Sequence, residues 1–169
     1  MKRFLSLLLL CCPTVAWSGP IISEYEMKAT YLYNFLAFTT FPNPEQTEFR
    51  ICLWGRDNFG DATRAIQGKK IREAQVVVSR ISTLSSAKNC HLLYVAEPDA
   101  LNLKPVYNEL KTLPVLVVTD TPVPSQAMIN LYLEHQRVMF EIDHSRAKIS
   151  GLQLSSKLLQ YAKPMLIQE

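Results

Sequence analysis

The chain has 169 residues, a formal net charge of +3 and 20% charged residues. That balance does not predict nucleic-acid binding or a strongly charged surface, and the length suits one domain with a proper hydrophobic core. Removing a leader that carries Lys2 and Arg3 leaves 16 of the 18 basic residues against 15 acidic ones, which brings the charge near neutrality.

Residues 1–18 read as a secretory signal: Lys2 and Arg3, an apolar stretch from Phe4 to Val15, then Ala16-Trp17-Ser18 before Gly19. Small residues at the third and first positions before a cut favour cleavage after Ser18. The apolar stretch is short for a membrane span, which needs ~20 residues. Leu9-Leu10-Cys11 is a poor lipoprotein signal, so the expected product is an exported, periplasmic domain over residues 19–169.

Glu24 to Phe38 lacks Gly and Pro and has a helical period. Tyr25, Ala29, Leu32 and Leu36 fall on one stripe, the core face. Met27, Tyr31, Phe35 and Phe38 fall on a second, interleaved with Glu24, Lys28 and Asn34, and this stripe is either further core or a surface kept for a partner. Phe41-Pro42-Asn43-Pro44 then breaks the helix.

Phe49 to Gly60 is the stretch around which the rest is organised. Ile51-Cys52-Leu53-Trp54 suits a strand covered on both faces, Gly55 ends it, and Asp57 or Asn58 is placed to cap a helix over residues 58–66. Gly68-Lys69-Lys70 closes that helix, and a β-branched strand follows from Ala74 to Arg80. A short helix is predicted over residues 82–88 with Ser82 as its cap. Further strands are predicted at Cys90–Ala96 and Val115–Thr119, with a helix at Asn102–Lys111 between them that tolerates Pro105 in its first turn. This alternation predicts βαβ units and a mainly parallel sheet.

Beyond Asp120 the period changes. Ile129, Leu131 and Leu133, then Val138, Phe140 and Ile142, alternate with polar neighbours and predict an antiparallel hairpin turning at Glu134–Arg137. Asp143 caps a short helix that Gly151 stops, and Leu154–Ala162 forms the last helix before Pro164. The expected fold is therefore a single α/β domain: a mainly parallel sheet of about six strands, helices on both faces, and an antiparallel hairpin at the end.

Of four cysteines, Cys11 and Cys12 leave with the leader, so Cys52 and Cys90 remain. In an oxidising compartment a disulfide between them is favoured over a redox switch, which lacks the C-x-x-C spacing that tunes thiol reactivity. His91, His135 and His144 show no metal-ligand spacing. Nucleophile-elbow, phosphate-loop, zinc-protease and dinucleotide motifs are all missing from the sequence. The nearest approach to a ligand loop is Gly55–Gly60. There Arg56, Asp57 and Asn58 stand where open α/β sheets take their ligands, with a plain capped turn holding Phe59 in the core as the competing reading.

Taken in order, these segments resemble the YfiR/HmsC family of small bacterial periplasmic regulators. The resemblance runs from Glu26 to Ala162. It rests on Lys28-Ala29-Thr30-Tyr31-Leu32-Tyr33-Asn34-Phe35 leading to Phe41-Pro42, on Ile51-Cys52-Leu53-Trp54-Gly55 with Asn58-Phe59, and on Cys90-His91. It continues through Leu113-Pro114-Val115-Leu116-Val117 with Asp120, Val138-Met139-Phe140-Glu141-Ile142, Gly151-Leu152 and Ser155-Ser156-Lys157-Leu158-Leu159. It implies a regulator without catalytic residues or cofactor that inhibits an inner-membrane diguanylate cyclase through that enzyme's periplasmic part. It also implies an outer-membrane lipoprotein as antagonist in some systems, frequent homodimers, and pairing of the cysteines at Cys52 and Cys90. Asp143-His144 departs from the family's Asn and apolar residue at that place, and the second cysteine pair of the name-giving member is missing.

An inhibitor without chemistry acts by binding, and binding energy concentrates in a few large anchors. The stripe Met27, Tyr31, Phe35 and Phe38 is therefore the expected contact surface for a protein partner or a second copy, ahead of the loop at Arg56. The runner-up reading is a periplasmic small-ligand binding domain whose partner is not a cyclase.

Overall fold

The computed structural model describes residues 23–43, 45–96, 99–122 and 126–164; the expected signal segment lies outside them. Helix α1 spans Glu24–Ala37 and opens on a reciprocal cap. Ser23 Oγ accepts from the Glu26 N–H, and the Glu26 carboxylate accepts from the Ser23 N–H, which satisfies two donors the first turn leaves free.

After α1 come the short strand β1 (Thr39–Thr40), then β2 (Glu48–Trp54), β3 (Lys70–Ile71), β4 (Ala74–Ile81) and β5 (Leu92–Val95). Helix α2 (Lys104–Leu110) leads to β6 (Leu116–Asp120), and the hairpin is β7 (Ile129–Glu134) with β8 (Arg137–Ile142). The chain ends with α3 (His144–Ile149), β9 (Gln153–Leu154), α4 (Ser156–Tyr161) and β10 (Lys163–Pro164).

The main sheet has the order β10-β8-β7-β6-β5-β2-β4-β3. Strands β4, β2, β5, β6 and β7 run parallel, and β8 returns antiparallel to β7. These are the six strands expected from the sequence; the two-residue strands β3 and β10 extend the sheet at its edges. A separate small sheet pairs β1 with β9 and ties the end of α1 to the C-terminal region.

The central strands show why their sequences are almost wholly apolar: all four residues of β5 are buried, as are four of the five in β6. Alternation then divides the core into two layers. Phe49, Ile51 and Leu53 of β2 face α1, α3 and α4, whereas Cys52 faces the side covered by α2.

Two predicted helices form differently. Residues 58–66 make a 3-10 helix at Gly60–Ala65, and residues 82–88 make another at Leu84–Asn89, preceded by Thr83 rather than capped by Ser82. Both segments are about two turns long, and neither first turn receives a side-chain cap, so tighter i to i+3 bonding suffices. The hairpin turn places His135 and Gln136 at φ of 48° and 62°, the left-handed pair of a two-residue turn that matches the strand twist.

Candidate functional site

Helix α1 lies between two features of different chemistry, and the spacing of its residues determines which side chain meets which. Positions 25, 28, 29, 32, 35 and 36 follow the i, i+3, i+4 repeat of one helix face. Lys28, Ala29, Leu32, Phe35 and Leu36 are all buried there.

On one flank α1 packs against β8. Phe35 is 0% exposed, with its ring centroid 5.1 Å from Phe140 and 5.8 Å from Tyr31; Tyr31 is itself 5.4 Å from Phe140. Phe35 therefore belongs to the core, which corrects its place in the expected contact stripe. The rest of that stripe stays accessible: Met27 is 38% exposed, and Tyr31 and Phe38 are half-buried. Tyr31 donates its hydroxyl proton to the Val138 carbonyl at 3.3 Å, which fixes the ring as a wall between two grooves. The first groove, about 490 Å³, is lined by Met27, Tyr31, Leu133, Arg137 and Met139. The second, about 380 Å³, is lined by Tyr31, Phe38, Met139, Lys157 and Tyr161. Leu133 at 52% exposure extends the apolar surface beyond Met27.

On the other flank, beyond the carboxyl ends of β2, β5 and β6, is a polar pocket. The chain leaves β2 for β4 on one side and returns to β5 on the other, so this is the point where the strand order reverses. Gly55 is required at the end of β2: its φ is +91°, and a Cβ there would come within 2.8 Å of Asp99 Oδ2.

The three loop residues noted in the sequence behave differently from one another. Asp57 Oδ1 accepts from the Phe59 N–H at 3.0 Å, and its two oxygens are clamped by Arg80 at 2.9 and 3.0 Å. Asn58 Nδ2 donates to the Tyr25 hydroxyl at 3.0 Å, and Arg56 stands exposed at the rim. Phe59 is buried and meets Tyr25 and Tyr94 edge-on at 5.4 and 4.9 Å, so the capped turn holding Phe59 in the core is present as well.

The inner wall is ionic. Lys28, only 2% exposed, donates to Asp120 Oδ2 at 2.5 Å and to the Glu24 carboxylate, and lies 4.8 Å above the Tyr25 ring. Tyr94 donates to the same Asp120 oxygen at 3.1 Å. Burial pushes the Lys28 ammonium pKa down, but the bonds to Asp120 and Glu24 outweigh it and the net shift is upward. The Tyr94 hydroxyl is pushed far up by burial and then by the Asp120 carboxylate, so it remains a neutral donor. Lys28 escaped the sequence reading because a lysine among aromatics reads as a solvated interruption. Its i+3 spacing from Tyr25 and i−4 spacing from Leu32 were the available signal.

On the opposite layer, Cys52 and Cys90 form a disulfide with Cα atoms 5.9 Å apart. The residue after Cys90, His91, turns its ring to the α1 side of the sheet: Nδ1 accepts from the Arg50 N–H at 3.0 Å and Nε2 faces the Gln46 side-chain oxygen, which places the proton on Nε2. Phe41 and Phe49 close over the ring edge-on.

Both carboxylates at the pocket are already paired, Asp57 with Arg80 and Asp120 with Lys28, so the arrangement is suited to recognition. Among the described residues no group of three or more His, Cys, Asp or Glu is placed to hold a metal ion, and no helix is long and apolar enough to cross a membrane.

Fold and site together define a single α/β domain with an apolar face along α1 and β8 and a charged pocket at the sheet's switch point. A family model described as YfiR/HmsC-like matches residues 25–163, and the chain belongs to that family. The family is a regulatory, non-catalytic one associated with the periplasm and with diguanylate cyclase signalling. No curated protein matches the chain significantly.

Proposed function

We propose that this protein is a non-catalytic periplasmic regulator that binds the periplasmic part of an inner-membrane diguanylate cyclase and holds the enzyme inactive. Cyclic di-GMP falls, and exopolysaccharide and biofilm output fall with it. An outer-membrane lipoprotein that sequesters the regulator is the natural antagonist in such a circuit. The observation that carries this reading is the accessible apolar surface of Met27, Tyr31, Leu133 and Met139 on a member of this regulatory family. Exposed large apolar side chains that line a groove and are rimmed by charge mark a protein contact, and Arg137 and Glu24 supply the rim.

The test combines Met27→Asp and Leu133→Asp in one chain. Both sites are exposed, so the melting temperature should move by no more than a few degrees. Cellular cyclic di-GMP should rise to the level of the gene deletion, and capture of the cyclase's periplasmic part by the purified protein should be lost. A deletion strain with unchanged cyclic di-GMP under several growth conditions would end the cyclase reading. Full capture by the double variant would move the contact to another face.

A further inference from the structure

The polar pocket takes no part in the contact proposed above, yet it is built for a ligand. It encloses about 100 Å³, the space of a few water molecules and hence of a solute with a handful of heavy atoms. It lies at the switch point of the sheet, where open α/β folds bind small molecules.

Its walls present opposite charges with bonding capacity left over. Lys28 and Tyr94 both donate to Oδ2 of Asp120, which leaves Oδ1 for another donor. Asn58 uses Nδ2 on Tyr25 and keeps its Oδ1 as an acceptor. The Tyr25 hydroxyl, having accepted that bond, still has its own proton to donate. Arg56 is exposed at the rim and has no ion-pair partner among the described residues.

These groups discriminate between ligand classes. A dianion would face the Asp57 and Asp120 carboxylates. A simple amine would leave Arg56 unmatched. A sugar ring needs an open aromatic face, but Lys28 covers the Tyr25 ring and Phe59 abuts both Tyr25 and Tyr94.

We propose that this pocket is a receptor site for a small zwitterion of the α-amino acid class, its ammonium held by Asp120 Oδ1 and Asn58 Oδ1 and its carboxylate by Arg56 and the Tyr25 hydroxyl. The buried ion pair beneath it then has a role beyond stability. Apolar residues of similar volume often replace such a pair at no cost, whereas Lys28 engages Oδ2 of Asp120 and so holds the carboxylate in place at the pocket wall. Tyr25 and Lys28 stand on the same helix as Met27 and Tyr31, so an occupant touches the element that carries the apolar grooves.

Isothermal titration calorimetry of residues 19–169 tests this directly and requires no cyclase. Each proteinogenic amino acid is titrated in turn, with acetate, methylamine and inorganic phosphate as partial ligands. At least one amino acid should bind saturably and at least about tenfold more tightly than acetate or methylamine. Arg56→Ala should weaken it by about tenfold or more, with an unchanged melting temperature. Three results would overturn the assignment: no saturable binding by any amino acid, acetate or phosphate binding as tightly as the best amino acid, or wild-type affinity in both Arg56→Ala and Asn58→Ala.

Discussion

The two layers packed on the sheet achieve burial by different means. The α2 layer is built from Leu93, Val95, Leu103, Val106, Leu110 and small residues around the Cys52–Cys90 bridge. The α1 layer is built from large aromatic rings, a buried lysine with two carboxylate partners, and a helix whose exposed flank opens onto grooves. The first layer is a covalently fastened platform. In the second, interlocking rings and charges supply both the packing and the surfaces available for binding. Damage to the α1 layer should therefore be felt at the grooves and the pocket, whereas damage to the α2 layer should change stability and leave recognition alone.

The largest effect is expected from Phe35→Ala. Phe35 is wholly buried between Tyr31 and Phe140, and truncating a core phenylalanine costs about 3 to 5 kcal/mol. That is a large fraction of a domain's total stability. Urea unfolding should show the midpoint collapse together with any loss of partner capture. A fold-neutral Phe35→Ala that abolished capture would restore Phe35 to the contact surface and undo the division between layers.

Next comes the bridge. Cys52 and Cys90 close a loop of 38 residues, for which the chain-entropy model gives about 3 to 4 kcal/mol. Cys52→Ser should lower the denaturation midpoint accordingly, while the double variant Cys52→Ser, Cys90→Ser should retain cyclase capture and, at the pocket, amino acid binding. Loss of either function in a double variant that still folds would show that the α2 layer takes part in recognition.

Much of this architecture was legible because it is local. The apolar runs of β2, β4, β5 and β6, the period of α1, the alternation of the hairpin and the Asp143 and Gly151 punctuation each reside in a few consecutive residues. What was not legible depends on distant partners. Phe35 becomes core because Phe140 of β8 meets it, and Lys28 is tolerated inside because Asp120, 92 residues later in the chain, arrives at the end of β6. Both residues nevertheless sit on the i, i+3, i+4 face of α1. The i, i+4 spacing from Met27 and Tyr31 assigned Phe35 to the second stripe although it also lies i+3 from Leu32, and reading lysine as solvated hid the ionic wall of the pocket. The loop at Arg56 follows a buried strand, as its place in the sequence predicted, but its three residues turn to three different tasks that only the packing of Arg80 and Tyr25 reveals. The short 3-10 helices and two-residue strands carry too few residues for any period to register.

The smallest expected effect is a difference in pH response between two buried polar sites, His91 under the Phe41 and Phe49 rings and the Lys28–Asp120–Tyr94 group at the pocket, with a different sign on each side of neutrality. Under the two rings, burial first and then the Arg50 charge hold the His91 pKa below its ordinary 6.5. The unfolded chain therefore takes up a proton before the folded one. The stability His91 contributes is present above about pH 6.5 and is lost as pH falls toward its folded value, at no more than about 1.4 kcal/mol per pH unit for one proton. The structural cause is visible: Nδ1 already accepts from the Arg50 N–H, and a proton there would break that bond. At the pocket, Lys28 and Tyr94 are both shifted upward, so their contribution is present below about pH 10 and fades as pH rises through their folded values. Urea midpoints measured between pH 5 and 8 should decline toward acid in the wild type and decline less in His91→Gln. Lys28→Met should leave that acid limb intact while flattening the alkaline decline, which is measured above about pH 10. An identical acid slope with and without His91 would place the acid-sensitive group elsewhere, and an unchanged alkaline slope in Lys28→Met would mean that the ionic wall does not set the alkaline response.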